Sequence, residues 1–321
     1  MVPGPCDLCG GMEFRVLPRR MTGARRTVIC QRCGLVFTNP RWDPAEIARL
    51  YVEEFRRDPA APVREDFFDG SIRELELERD LAHGTLLPMM TRSVDPKGKR
   101  WLELRFRTGA VLEALQGRGA EVHGVDLYER GVAWVHNRLP AATLHVAPVH
   151  DLLGPVGGGF DVISMTTIHV TAHVPSPTRL LSDAFDRLVP GGLLMLAEKD
   201  ITRMPPHVPQ FPLSEGAGLV HYHHLTEKSL RAFVQKVGFE IVSTEDIRRQ
   251  SVLRYFMLVA RKGDRRDRPE PASIRADDAE ALYRRVWFLF LRSRYRRVRY
   301  QVVVRAHRML ARTRAALKPV S

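Results

Sequence analysis

The chain has 321 residues and a formal net charge of +13, and 44% of its residues are hydrophobic. That apolar fraction is ordinary for a globular protein, so the composition excludes a chain that is disordered throughout, a collagen and a coiled coil. The charge is uneven, because residues 261–321 carry 18 Lys and Arg against 6 Asp and Glu. Residues 1–260 are therefore nearly neutral, and the basicity belongs to one C-terminal segment.

The length predicts about two domains, since a single hydrophobic core rarely grows beyond ~250 residues. Residues 1–6 have neither the basic stretch nor the apolar stretch of a secretion signal. The apolar run Val286–Leu291 is far shorter than the ~20 residues that a transmembrane helix needs. We therefore expect a soluble, cytoplasmic protein without a transmembrane segment.

All four cysteines lie in the first 33 residues, as two Cys-x2-Cys pairs that are each followed by glycine. The pairs are Cys6 with Cys9 and Cys30 with Cys33. This spacing is typical of a tetrahedral zinc site, because a two-residue gap lets both thiolates of one tight turn face the same ion. Four thiolates leave no position for water, which predicts a structural zinc. Two disulfides, or a ribbon that contacts nucleic acid, are the alternative interpretations.

After the cysteines, strand-length apolar runs and helical patterns follow each other along the chain. A strand is predicted over 35–40, and helices are predicted over 44–54 and 71–90. Further strands are predicted over 101–104, 121–127, 143–146, 160–165, 193–198, 239–243 and 254–260. Further helices are predicted over 110–116, 128–137, 178–188 and 226–237. Repeated strand–helix units of this length predict an α/β fold, a mostly parallel sheet with helices on both faces.

The chain divides into four predicted segments. They are a zinc ribbon (1–40), a helical connector (41–97), the α/β domain (98–261) and a linker with an Arg-rich helix (262–321). The last helix carries one apolar stripe, formed by Trp287, Leu291, Tyr295, Val298, Val302, Ala306 and Met309. The stripe predicts packing on the body or on a protein partner. The arginines of residues 281–321 also suit an anionic membrane surface or a nucleic acid.

Several local patterns occur in a characteristic order between Cys6 and about Arg261. They are Cys30-Gln-Arg-Cys-Gly-Leu-Val-Phe-Thr-Asn-Pro40, Gly98-Lys-Arg-Trp-Leu-Glu-Leu104, Phe160-Asp-Val-Ile163, Leu188-Val-Pro-Gly-Gly192 and Val237-Gly-Phe239. Together they resemble class I S-adenosylmethionine-dependent methyltransferases, in particular the zinc-ribbon branch that includes sugar C-methyltransferases. The resemblance implies a Rossmann-like, mostly parallel seven-stranded sheet, preceded by a zinc ribbon and followed by a basic amphipathic helix. It also implies methyl transfer from S-adenosylmethionine to a small-molecule acceptor, such as a sugar or another secondary metabolite.

In that family the first strand ends in a carboxylate and three spaced glycines, which let the cofactor approach the backbone. The matching stretch runs from Glu103 to Gly109, with arginines at the first two glycine positions. The resemblance assigns the cofactor to Glu103, Arg105, Arg107, Gly109, Asp126 and Asp151. Asp126 ends the second strand, where the family binds the ribose. Two hypotheses follow from the arginines: a methyltransferase with an altered cofactor loop, or a catalytically inactive or repurposed protein that binds an anionic ligand or partner.

Histidines cluster where this fold places its acceptor, and imidazole is the usual base near neutral pH. His169 and His173 follow the fourth strand, and the segment 221–224 follows a Pro-rich stretch, 203–212, that we interpret as a lid. The catalytic groups expected from these two places are His173, His221, Tyr222 and His224. The alternatives are histidines that only hydrogen-bond or lie at the surface, and a metal-binding His221-x-His223-His224 motif.

Overall fold

A computed structural model of the chain describes residues 4–17, 26–41, 43, 45–46, 72–167, 169–204, 221–247 and 255–292. The strands are β1 (Phe14–Val16), β2 (Arg26–Cys30), β3 (Val36–Asn39), β4 (Arg100–Leu104), β5 (Glu121–Asp126), β6 (Thr143–Val146), β7 (Phe160–Met165), β8 (Leu188–Lys199), β9 (His223–His224), β10 (Phe239–Ile247) and β11 (Tyr255–Lys262). The α-helices are α1 (Ile72–Leu81), α2 (Leu87–Met90), α3 (Ala110–Gln116), α4 (Glu129–Arg138), α5 (Val170–His173), α6 (Pro177–Arg187), α7 (Glu227–Val237) and α8 (residues 279–292). Within these ranges no helix has the length and apolar character needed to cross a lipid bilayer.

The larger sheet has seven strands in the order β6-β5-β4-β7-β8-β11-β10. The strands from β6 to β8 are parallel, and β11 runs antiparallel to both β8 and β10. The predicted seven-stranded, mostly parallel sheet is therefore confirmed. Because β4, β5, β7 and β8 are parallel, their carboxyl ends share one edge, and the order in which strands are added reverses between β4 and β7, which is where open α/β sheets bind ligands.

Two hydrophobic clusters cover the two faces of this sheet, because successive side chains of a strand point to opposite sides. In β4, Leu102 and Leu104 belong to the cluster under α6 and α7, whereas Trp101 belongs to the cluster under α1 and α3. All three side chains are fully buried. The same alternation continues in β7 and β8. The α/β body thus has a continuous hydrophobic core on each face of the sheet. Polar groups of the candidate site lie at the ends of the strands.

The predicted elements of the α/β body are present, and most differences are at their ends. The helix predicted over 71–90 is interrupted by a π-helical turn at Ala82–Leu86, between α1 and α2. β8 begins at Leu188 rather than at residue 193, and its pairing with β7 shifts register there. Of the helix predicted over 44–54, residues 45–46 are helical and residues 47–54 lie outside the described residues.

The cysteine-containing segment forms a second sheet in the order β1-β2-β3-β9. Its last strand comes from the α/β body: His223 pairs with Phe37, and His224 pairs with Val36. The amide of Thr38 also donates to the carbonyl oxygen of Tyr222, at 2.9 Å. The ribbon sheet is therefore completed by the segment that contains the predicted catalytic histidines.

The described part of the basic tail begins as α8 and packs on the ribbon. Its Leu282 and Val286 are buried in a small cluster with Ile29 and Val36. Trp287 packs against this cluster, as the stripe predicts, while the later stripe residues from 295 onward lie outside the described residues. Contact of residues 281–321 with an anionic membrane surface, a nucleic acid or a protein stays a prediction from the sequence.

Candidate active site

The four cysteines form one compact, buried group of free thiols. The Sγ atoms of Cys6 and Cys33 are 3.6 Å apart, and those of Cys9 and Cys30 are 3.5 Å apart. These distances are close to the ~3.8 Å between two sulfurs that bind one tetrahedral zinc at ~2.3 Å each. Hydrogen bonds from the thiols of Cys33 and Cys6 lower the pKa of Cys30, whereas their hydrogen bonds to Cys30 and their burial raise the pKa of Cys6 and Cys33, so a bound metal ion would have to displace the protons of those two thiols. The group can therefore hold the predicted zinc ion.

The loop after β4 keeps the backbone shape of a glycine-rich loop although two of its residues are arginines. The φ angles are +61° at Arg105, +50° at Arg107 and +75° at Gly109. A left-handed conformation costs a residue with a side chain about 1 kcal/mol, so the surrounding structure holds both arginines against their preference. A Cβ on Gly109 would lie 2.6 Å from Cγ1 of Val135, which explains the glycine there by close packing of the loop against α4.

The two arginine side chains of this loop have different partners. Arg105 is completely buried, and its Nε lies 3.8 Å from Oδ1 of Asp126. The Nε of Arg107 donates to Oε1 of Glu78 on α1, at 2.7 Å. The Asp126 carboxylate also accepts the backbone amides of Arg107, at 2.8 Å, and Leu127, at 2.6 Å. The carboxylate predicted to bind the ribose is thus surrounded by donors of its own chain.

Glu103 connects the ends of β4 and β7. Its fully buried carboxylate accepts hydrogen bonds from the Ser164 hydroxyl and from the backbone amides of Thr166, at 2.8 Å, and Thr167, at 3.3 Å. Burial raises its pKa, and the hydrogen bonds oppose that shift. Asp151 lies further out: it is half-exposed, and its Oδ1 is 3.5 Å from a guanidinium nitrogen of Arg179.

Three imidazoles meet at the carboxyl edge of the sheet. His169 and His173 lie one helical turn apart at α5 and face the same side, and His221 enters from the segment before β9. Nε2 of His169 lies 2.7 Å from Nε2 of His221 and 3.1 Å from Nε2 of His173. Nζ of Lys199, the last residue of β8, is 3.2 Å from the same nitrogen. The backbone amide of Tyr222 donates to the carbonyl oxygen of Ala172, at 2.8 Å, which holds the two segments together.

Burial controls the protonation of this region. It lowers the pKa of His169 and of His221 well below the ordinary imidazole value, and the nearby charges of Lys199 and His173 lower both further. Burial also lowers the pKa of His223, to about 3. These three imidazoles are therefore neutral at pH 7.

Three further buried groups belong to the segment 221–224 and to β8. The pKa of Tyr222 is raised by burial, and its hydroxyl has no hydrogen-bond partner among the described residues. The rings of His224 and His221 are stacked, with their centroids 6.2 Å apart. Burial raises the pKa of Glu198 to about 7, although its carboxylate accepts the Thr171 hydroxyl and the Lys199 amide. The structure thus brings His173, His221 and His224 close together, with Tyr222 between the last two in sequence; their catalytic role stays a prediction.

The sequence placed His169 among the candidate bases after the fourth strand but not among the expected catalytic groups. In the structure it lies at the centre of the cluster, with its Nε2 close to nitrogens of His221, His173 and Lys199. Lys199 directly follows the strand predicted over 193–198, so its place at the edge of the sheet could have been inferred. Of the stretch 203–212 interpreted as a lid, only Arg203 and Met204 are among the described residues.

A sequence model of the Methyltransferase domain family matches residues 75–244, just over half of the chain. The ubiquinone biosynthesis O-methyltransferase of Psychrobacter arcticus is 32% identical over 113 residues, which are 31% of this chain and 40% of that protein. The protein of the same name from Xanthomonas axonopodis pv. citri is 30% identical over 115 residues, 35% of this chain and 47% of that protein. The chain thus spans less than half the length of these relatives.

The fold is also found in a solved structure, the 1,6-didemethyltoxoflavin-N1-methyltransferase of Burkholderia thailandensis with bound 1,6-didemethyltoxoflavin and S-adenosylhomocysteine. It has a TM-score of 0.51 and 18% identity, and the match covers 77% of this chain and 99% of that one. The sheet order and this likeness define the class I S-adenosylmethionine-dependent methyltransferase fold, which confirms the resemblance seen in the sequence. The chain belongs to the methyltransferase domain family.

Proposed function

We propose that the chain transfers a methyl group from S-adenosylmethionine to a small-molecule acceptor. The observation that carries this proposal is the common edge of β4, β5 and β7. There, a loop with the backbone of a glycine-rich turn and the carboxylate of Asp126 lie on one side, and a buried imidazole cluster follows β7 on the other. Methyl transfer needs such an arrangement, because the donor and the acceptor must be held in line.

On the cofactor side, the backbone from Arg105 to Gly109 and the carboxylate of Asp126 fit the methionine and ribose parts of S-adenosylmethionine. The side chain of Arg105 lies next to Asp126 and would have to move for the ribose to reach that carboxylate. S-adenosylmethionine supplies a methyl group on a positively charged sulfur. Glu103 would support the cofactor loop indirectly, because its hydrogen bonds with the amides of Thr166 and Thr167 fix the end of β4. Asp151, which pairs with Arg179, would contact the cofactor only at its periphery.

On the acceptor side, the imidazoles of His173 and His221 can accept the proton that an attacking hydroxyl or acidic carbon must lose. The buried Tyr222 hydroxyl and His224 would orient the acceptor. The curated relatives are named O-methyltransferases, which favours an oxygen nucleophile. A sugar or another secondary metabolite with an ionisable hydroxyl is the acceptor class that we propose, in a cytoplasmic setting.

Calorimetric titration of the purified chain with S-adenosylmethionine and with S-adenosylhomocysteine tests the proposal. We expect saturable binding of both at one site per chain. Asp126→Ala should weaken the binding of both ligands. Glu245→Ala, at an exposed site, should bind both ligands as the wild type does. Absence of binding of either ligand at millimolar concentration would refute methyl transfer and favour the repurposed protein.

A further inference from the structure

The imidazole cluster contains more close nitrogen contacts than hydrogen bonding can satisfy. Nε2 of His169 is within 3.2 Å of three nitrogens, on His221, His173 and Lys199. A neutral imidazole nitrogen carries either one proton or one lone pair, so it takes part in one hydrogen bond. If Lys199 donates to His169, both imidazole contacts lack a hydrogen bond. If the hydrogen bond of His169 is instead made with one of the two imidazoles, its contacts with the other imidazole and with Lys199 lack a hydrogen bond.

The shape of the cluster is that of a three-imidazole metal site. Each of His169, His173 and His221 offers one ring nitrogen, and the three nitrogens lie within 4.8 Å of one another. Two nitrogens that each bind one tetrahedral ion at ~2.05 Å are about 3.3 Å apart. The observed spacings of 2.7 and 3.1 Å are slightly shorter, so small ring movements would make room for an ion.

We infer that His169, His173 and His221 bind one divalent transition-metal ion through Nε2, separately from the cysteine zinc. Three imidazoles suit zinc, cobalt, nickel, copper or iron(II) rather than magnesium or calcium, which prefer oxygen ligands. Cation binding requires the Lys199 ammonium, 3.2 Å from Nε2 of His169, to withdraw or to lose its proton. Its long flexible stem allows the first.

The place of this site gives the ion a chemical role. Three protein ligands leave a fourth position, which in catalytic sites holds water or substrate. Here that position lies at the carboxyl edge of the sheet, where the family places its acceptor. This consequence rests on the proposed function: an ion there would lower the pKa of a bound acceptor hydroxyl by its charge, and the imidazoles would act as ligands instead of bases. Metal binding itself does not depend on methyl transfer.

The test counts metal ions on the full chain without cofactor or acceptor. The protein is saturated with zinc, freed of excess by gel filtration and analysed by inductively coupled plasma mass spectrometry. We expect two zinc ions per chain in the wild type and one in each of His169→Gln, His173→Gln and His221→Gln. The matched control is His224→Gln, a buried histidine of the same segment outside the three-nitrogen group, which should keep two.

Cobalt provides a second measurement that needs no histidine variant to fold. Cobalt bound by cysteines has a strong thiolate charge-transfer band, whereas cobalt bound by imidazoles has weak visible bands alone. In the wild type after its cysteine site is filled with zinc, added cobalt should produce the imidazole spectrum at one ion per chain. A wild type that takes up a single metal ion, or folded histidine variants that all keep two, would overturn the inference. A wild type that binds two metal ions but transfers no methyl group would instead count against the proposed function.

Discussion

The guanidinium of Arg105 lies against the carboxylate of Asp126, with Nε 3.8 Å from Oδ1, and both side chains are buried. Arg105 stands at a position where the family has glycine, and Asp126 is the residue predicted to bind the cofactor ribose. The Asp126 carboxylate therefore already has a positively charged partner inside the chain. A cofactor with a cationic sulfur must displace that guanidinium or tolerate it nearby, which lowers its affinity.

Arg105→Gly should therefore bind S-adenosylmethionine more tightly, by about tenfold, which corresponds to ~1.4 kcal/mol. Glycine adopts the +61° φ angle of this position without strain and leaves Asp126 open to the ribose. Calorimetric titration of the variant and the wild type measures the change. Arg107→Gly is the matched control, because Arg107 has the same backbone conformation but pairs with Glu78. Weaker binding by Arg105→Gly would mean that the guanidinium contacts the cofactor.

The same pair predicts a coupled effect on stability. Asp126→Asn removes the carboxylate 3.8 Å from the buried Arg105 guanidinium. Removing one partner of a buried pair typically lowers the free energy of unfolding by about 3 kcal/mol or more. The loss should be clearly smaller in the Arg105→Gly background, where the guanidinium next to Asp126 is absent. Urea unfolding of the wild type, the two single variants and the double variant gives the interaction energy. Additive losses would show that the two side chains do not interact.

Local patterns predicted the fold well and the side-chain arrangement of the site only in part. The order of strands and helices follows from hydrophobic periodicity, so the sheet and the position of Asp126 at a strand end could be inferred. The direction of the Arg105 side chain could not, because it depends on which space the folded loop leaves free. The pairing of His223 with Phe37 joins residues far apart in sequence and has no local signal. His169 became central for the same reason: its partner His221 arrives from a distant segment.

Because β3 of the ribbon pairs with β9, the cysteine site should stabilise the segment that contains His221, His223 and His224. Cys6→Ser should lose zinc and lower the free energy of unfolding by several kcal/mol, because metal binding energy contributes directly to folding. The ribbon strand β3 supports β9, so amide protection of residues 221–225 should also fall, by about tenfold or more. Metal analysis and hydrogen-exchange mass spectrometry measure the two effects. Met12→Ser, on the exposed surface of the ribbon, should change neither. Unchanged protection at 221–225 in zinc-free protein would contradict the coupling.

Glu198 predicts a pH dependence of stability whose sign differs from that of an ordinary salt-bridged carboxylate. Burial raises its pKa from near 4.5 to about 7, so the folded state favours the protonated acid. Its contribution to stability is fully present below pH 4.5 and is lost as the pH rises to 7 and above. The buried histidines change in the opposite direction, because their lowered pKa values destabilise the folded state as the pH falls below about 6.5. A comparison with a variant is needed to isolate the carboxyl group.

Glu198→Gln provides that comparison, because glutamine resembles the protonated acid and does not ionise. At pH 5 the variant and the wild type should have similar free energies of unfolding. At pH 8 the variant should be relatively more stable, by on the order of 3 kcal/mol, since the wild type must bury a carboxylate or protonate it. Urea unfolding at both pH values measures the difference, and Glu245→Gln, an exposed carboxyl paired with Arg92, is the control that should show little change. An equal difference between variant and wild type at pH 5 and pH 8 would show that Glu198 ionises alike in the folded and unfolded chain.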